Sequence, residues 1–154
     1  MRRAIVGPTV FLAVLACAFA GCGSSEPKLP DLTEVEGVVL LGGEPLPNAT
    51  VTFNPTAAGL PANAAASGVT GPDGRFKLAV GAKPGAVPGE NIVTVIEGPV
   101  PEDARDQEGQ AKLAEFQAKL PNRPIPGKYR NTNSSNVRIT VTKGQKEYKI
   151  ELTR

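Results

Sequence analysis

From Thr33 onward the chain alternates apolar and polar positions with a period of two. Val35, Gly37, Val39 and Leu41 alternate with Glu34, Glu36, Val38 and Leu40, and Val51 and Phe53 alternate with Thr50 and Thr52. The same rhythm returns at Phe76, Leu78 and Val80, at Val137, Ile139 and Val141, and at Tyr148, Ile150 and Leu152. Successive side chains of a strand point to opposite faces, so the pattern predicts strands with one buried face. Residues 91–96 end apolar on both faces, as a more central strand would. The strands expected are 34–41, 49–54, 65–70, 75–80, 90–96, 136–142 and 146–153. Turn chemistry separates them: Gly42-Gly43-Glu44-Pro45, Pro72-Asp73-Gly74 and Lys143-Gly144-Gln145. Gly supplies the positive φ of tight hairpins, and Asp can bond its own downstream backbone. Strands joined by turns at short intervals predict an all-β fold, a seven-stranded antiparallel Greek-key sandwich of Ig-like architecture. Ala57 to Ala66 is a low-complexity Ala/Gly/Pro loop that carries no chemistry.

One segment breaks the rhythm. Residues 102–120 are rich in Ala, Glu, Lys and Gln, with Leu113, Phe116 and Leu120 at helical spacing. Glu115 and Lys119 form a favourable i,i+4 pair, acids cluster at the start, and Pro121 stops the run. A helical insertion between the fifth and sixth strands is expected. Its apolar stripe is narrow, which leaves two uses open: covering an edge of the body or docking a partner.

The first residues have a different character. Arg2 and Arg3 precede an uncharged apolar run from Ile5 to Ala20, which ends in Ala20-Gly21-Cys22. A basic start, a short apolar run and small residues at its end are the layout of a secretory signal. The run is shorter than the roughly 20 residues of a spanning helix, and Pro8 interrupts it. Ala-Gly-Cys resembles the lipobox of bacterial lipoproteins, in which the cysteine is lipidated and becomes the first residue; Phe19 stands where an aliphatic residue is commoner. The resemblance implies lipidation of Cys22 and a membrane partner reached through that lipid. It also implies an extracytoplasmic location, on the outer membrane because Gly23 rather than Asp follows the cysteine. Cys17 is a poorer candidate, since cleavage there would leave Ala18 and Phe19 on the mature end. The organisation expected is a signal peptide at 1–21, a proline-containing tether at 22–32 and one domain at 33–154.

The chain of 154 residues has a net charge of +2, which falls to zero once Arg2 and Arg3 are removed. The charge is unevenly spread: residues 22–118 carry a balance of −7 and residues 119–154 a balance of +7. Such asymmetry marks either a polyanion-facing surface or outward strand faces that meet each other in space. No aromatic residues interleave the basic positions as base stacking requires, so nucleic acid is not expected as a partner.

Val35-Glu36-Gly37-Val38-Val39, followed by Gly43-Glu44-Pro45-Leu46-Pro47-Asn48-Ala49-Thr50-Val51-Thr52-Phe53, resembles the opening of the carboxypeptidase regulatory-like domain. That domain is a transthyretin-like (prealbumin-like) sandwich. Its next hairpin is matched by Ser67 to Phe76, and its "PGxYxV" strand by Pro88 to Val95, with Ile92 where Tyr is commoner. Ile125-Pro126-Gly127-Lys128-Tyr129, leading to Ser134-Ser135 and the final strands, is similar to the ending of short lipoproteins of planctomycete-type bacteria. The resemblance implies the sandwich fold across nearly all of 34–154. It does not fix a function, because one fold hosts many roles.

Beyond the leader the chain has no His, no Trp and no cysteine other than Cys22. That removes Ser-His-Asp and Cys-His catalysis and any His/Cys zinc site. It also removes the histidine-dependent activities of metallocarboxypeptidases and hydroxyisourate hydrolases. No catalytic residue, metal or cofactor is expected. Asp73 is explained by its turn, and no D-x-D-x-D-G spacing offers a calcium loop. Lys128, Tyr129 and Arg130 form the candidate recognition cluster, with packing of Tyr129 on the body as the alternative. The expectation is a non-enzymatic, lipid-anchored cell-envelope protein whose domain is a binding or structural module. The alternatives are a carbohydrate- or peptidoglycan-contacting module, although a glycan-binding surface would ordinarily display more aromatics, and an accessory partner of a secreted enzyme complex engaged through the 102–120 helix. An envelope protein or a glycan is thus the candidate partner.

Overall fold

The computed structural model describes residues 28–99, 114–116 and 118–154, and β-strands dominate them. The strands are β1 (Glu36–Leu41), β2 (Glu44–Pro45), β3 (Ala49–Pro55), β4 (Ala66–Val69), β5 (Arg75–Lys77), β6 (Ala79–Val80), β7 (Lys83–Pro84), β8 (Gly89–Glu97), β9 (Arg138–Val141) and β10 (Glu147–Leu152). They form two sheets. One has the order β10-β1-β2 with β5 also paired to β1, and the other has the order β7-β6-β4-β3-β8-β9.

The period of two decides which side chains go inside. Val39 and Leu41 of the first sheet, with Val35 just before it, share one core with Val51, Phe53, Val93 and Val95 of the second, and Ile150 and Leu152 complete it. Phe53 lies 6.3 Å from Phe76 and 6.5 Å from Tyr148, ring centroid to ring centroid, in tilted and edge-on arrangements. Burying large apolar side chains of this kind contributes about 1.5–3 kcal/mol each. Gly37 makes room for the cluster: a Cβ there would lie 2.0 Å from the Tyr148 carbonyl oxygen and 3.0 Å from the Phe76 ring. Gly74 turns the chain at φ +73°, where a side chain would be strained and a Cβ would meet the Val39 carbonyl at 2.7 Å.

Several sequence expectations change. The first and last long strands pair in parallel, Gly37 opposite Tyr148 and Val39 opposite Ile150, so the fold is not wholly antiparallel. The reason lies in the turn at 142–146. It does not close a hairpin but carries the chain from β9 in one sheet to β10 in the other, at the end where β1 begins. The segment 75–80 divides at buried Leu78, with β5 in the first sheet and β6 in the second. With the two-residue strands β2 and β7, the described residues hold ten strands where seven were expected.

The body also starts earlier than Thr33. Leu29 and Leu32 pack on the core, and Thr33 exchanges two backbone hydrogen bonds with Ala86, at 2.9 and 2.8 Å. Part of the expected tether is therefore structure. Of the expected insertion at 102–120, residues 114–116 and 118–119 are helical, and 102–113 lie outside the described residues. The leader, with Cys17 and Cys22, lies outside them as well.

The register gives the body two ends. At the first, β1 and β10 begin and β3 and β9 finish; the tether, the 57–65 loop and the β6–β7 turn lie there. At the second, β1 and β10 finish, and the 42–48 turn, the 70–74 turn and the base of the insertion gather.

Candidate functional site

The second end holds the candidate recognition cluster. Lys128 and Tyr129 lie in a 3₁₀ turn at Gly127–Tyr129, and Arg130 follows it. Three prolines, Pro121, Pro124 and Pro126, precede Arg130 and remove backbone donors from this stretch, so side chains must hold it. Tyr129 does so from inside. It is 2 % exposed; its hydroxyl accepts from the Thr153 backbone N–H at 2.9 Å and donates to the Thr153 carbonyl at 3.1 Å. Burial pushes the Tyr129 hydroxyl pKa up, but the Thr153 hydrogen bonds and the nearby Lys128 charge outweigh it and leave the value below that of free tyrosine. Lys128 Nζ reaches the Thr153 hydroxyl at 3.1 Å and sits 5.1 Å from the centre of the Tyr129 ring. Lys128 and Arg130 remain exposed. The cluster is thus divided: Tyr129 closes the body over the C-terminus, and only the two basic residues face solvent.

Two residues that sequence reasoning passed over do more to shape this end. Asn122 donates through Nδ2 to the carbonyls of Leu41 at 2.9 Å and Glu44 at 3.0 Å, while its Oδ1 accepts from Arg154 at 2.6 Å. Arg123 donates through Nη2 to the carbonyls of Pro47 at 2.6 Å and Asn48 at 3.0 Å. Its Nε lies 2.7 Å from Glu97 Oε2, with the two side chains 11 % and 30 % exposed. That contact is short but poorly aligned, so it counts as an ion pair rather than a well-formed hydrogen bond. Glu97 ends β8, just before the insertion, and Arg123 follows it, so the pair closes the insertion at its base. Gly98 supports the closure through a 2.8 Å hydrogen bond from its N–H to the Asn48 carbonyl. Buried Thr70 holds the adjoining turn, accepting from the Ala49 N–H at 2.8 Å and donating to the Leu46 carbonyl at 2.6 Å.

Between the insertion and this end of the body lies a shallow groove of about 420 Å³. Phe116 and Leu120 line one side, and Pro47, Asn48, Thr70 and Pro72 line the other, so most of its wall is apolar. Two members of the expected helical stripe therefore reach the body.

The first end carries charge instead. A cleft of about 250 Å³ is lined by Glu34, Glu36, Lys77 and Lys146 around Leu78 and Pro84. Lys146 pairs with Glu34 at 2.6 Å and Lys77 with Glu36 at 3.2 Å. A hydrogen bond from Lys146, reinforced by its charge, holds the Glu34 carboxyl below the usual carboxylate range, and Glu34 raises Lys146 in the same way. Arg138 meets Glu90 at 3.3 Å on the second sheet. With Arg123–Glu97, these pairs join the basic C-terminal part of the sequence to the acidic part before it. Part of the charge asymmetry is thereby neutralised in space.

Asp73 acts as a turn residue, accepting from the Arg75 N–H at 3.1 Å. Among the described residues no three His, Cys, Asp or Glu side chains converge as a metal set, and no helix is long and apolar enough to cross a membrane. Compared with known proteins, the chain matches no family model, no curated protein and no solved structure.

Proposed function

We propose that this chain is a non-enzymatic, lipid-anchored protein of the bacterial cell envelope, held in the membrane through Cys22, with a β-rich body that serves as a binding or structural module. The observation that carries this reading is the leader: Arg2-Arg3, the uncharged run to Ala20 and the Ala20-Gly21-Cys22 ending. The location is extracytoplasmic, on the outer membrane where the cell has one. The body is read as a Greek-key sandwich of the carboxypeptidase regulatory-like, transthyretin-like type. The order of its strand and turn motifs supports that reading, as do two sheets sharing one core.

A protein partner suits this body better than a glycan. Tyr129 and Tyr148 are its only tyrosines and are 2 % and 7 % exposed, so neither offers a ring to a sugar face. The apolar groove at the second end, with exposed Lys128 and Arg130 on the same end, offers a protein contact instead. Fractionation of cells should place the protein in a membrane fraction, and crosslinking of intact envelopes should capture a protein partner. Recovery of the protein in a soluble extracytoplasmic fraction would contradict the reading.

A further inference from the structure

We infer that the first end of the body is a membrane-resting surface, built to lie on the headgroups of an anionic phospholipid bilayer. The inference rests on the lipid anchor at Cys22 and adds an orientation to it. Among the described residues packing begins at Leu29, and six residues separate it from the anchor cysteine. Fully extended, that stretch spans at most about 25 Å. Leu32 packs on the core and Thr33 pairs with Ala86, which fixes the end of the body where the tether attaches. A body on so short a lead cannot hold its far end toward the bilayer as readily as its near end.

The chemistry of the near end fits that neighbour. Three of its loops are brought together by the register: the 57–65 loop after β3, the β6–β7 turn and the 142–146 turn after β9. The chain carries no charge from Asn54 to Pro72, and Ala57, Ala58, Gly59 and Ala62 are exposed. Around that uncharged loop stand the exposed lysines 28, 83 and 143. Glu34, Glu36, Glu90 and Glu147 are paired with Lys146, Lys77, Arg138 and Arg75, which leaves Asp31 as the opposing charge at this end among the described residues. Small uncharged side chains can approach headgroups closely, and lysines beside them are attracted to anionic lipid within a Debye length.

The test uses the full lipoprotein reconstituted in vesicles containing a third or more of phosphatidylglycerol and a headgroup-attached quencher. Lipidation consumes the thiol of Cys22, so a single introduced cysteine can carry an environment-sensitive fluorophore. Labels at Ala58→Cys and Lys83→Cys should be quenched, whereas a label at Asp73→Cys, on the second end, should not. Replacing Lys28 and Lys143 with Gln should lower the docked-to-free ratio by about fivefold per lysine, and phosphatidylcholine vesicles should weaken quenching likewise. Equal quenching at Ala58→Cys and Asp73→Cys in protein that floats with the vesicles would overturn the orientation while leaving the anchor intact. Protein that fails to float with the vesicles would overturn the anchor, and the orientation with it.

Discussion

The two ends of the body are both rich in charge, yet they use it in opposite ways. At the first end, Lys146–Glu34 and Lys77–Glu36 lie in solvent, where ion pairs contribute little and are screened by salt. At the second, Arg123 is almost wholly withdrawn from water, gives Nη2 to two backbone carbonyls and places Nε against Glu97. Removing one member of a buried pair strands the other, so the same kind of contact becomes costly to break. The difference shows where the fold depends on polar side chains. Strands need none, because their backbones pair with each other, whereas the proline-rich 121–126 stretch has few donors of its own and relies on Asn122 and Arg123.

The sharpest way to break this comparison is Arg123→Ala, which should destabilise the protein by about 3 kcal/mol. Denaturant unfolding would read it, and a cost below that of Lys146→Ala would reverse the ranking of the two ends. Replacing residues 102–119 with a short Gly/Ser linker should come next. It removes Phe116, which lines the groove, so the melting temperature should fall by an amount matching roughly 1–2 kcal/mol for partly buried apolar surface. An unchanged melting point together with a lost crosslinking band would instead make the insertion a docking surface. Tyr129→Phe should cost about 1 kcal/mol and speed hydrogen exchange at the Thr153 amide, which the tyrosine hydroxyl now caps.

The smallest effect belongs to the exposed pair, and its signature is its pH window. Glu34 is depressed in the folded state, so its contribution is present above the ordinary carboxylate value of 4.5 and is lost as the pH falls through the lower folded value. Lys146 is raised, so its contribution is present below the ordinary value of 10.5 and is lost as the pH rises through the higher folded value. Glu34→Gln should therefore change stability slightly between those limits and not at all in strong acid, with the difference shrinking in added salt. A Glu34→Gln effect as large as that of Arg123→Ala would show that exposure does not separate the two ends.

The strand faces were legible in the sequence because period-two alternation reports burial directly. Val39, Val51, Phe53, Phe76 and Ile150 are buried as the alternation requires. Alternation does not report which sheet a strand joins, and that is where the expectations fell short. Lys143-Gly144-Gln145 is good turn chemistry whether the chain returns to the same sheet or crosses to the other. Lys77-Leu78-Ala79 reads as uninterrupted strand although Leu78 is the crossing point. Asn122 and Arg123 were missed for a related reason: their partners are backbone carbonyls more than seventy residues earlier, which no local pattern encodes. The available signal was the three closely spaced prolines around buried Ile125, a stretch that had to be held by something other than its backbone. Tyr129, expected to recognise a partner or to pack, packs.

The proposed membrane location of this protein depends on lipidation at Cys22, and metabolic labelling with a fatty-acid analogue tests it most directly. Wild-type protein and the Cys17→Ala variant should both incorporate the label, and Cys22→Ala should incorporate none. Label persisting on Cys22→Ala, or absent from the wild type, would contradict the placement of this body on a membrane through Cys22.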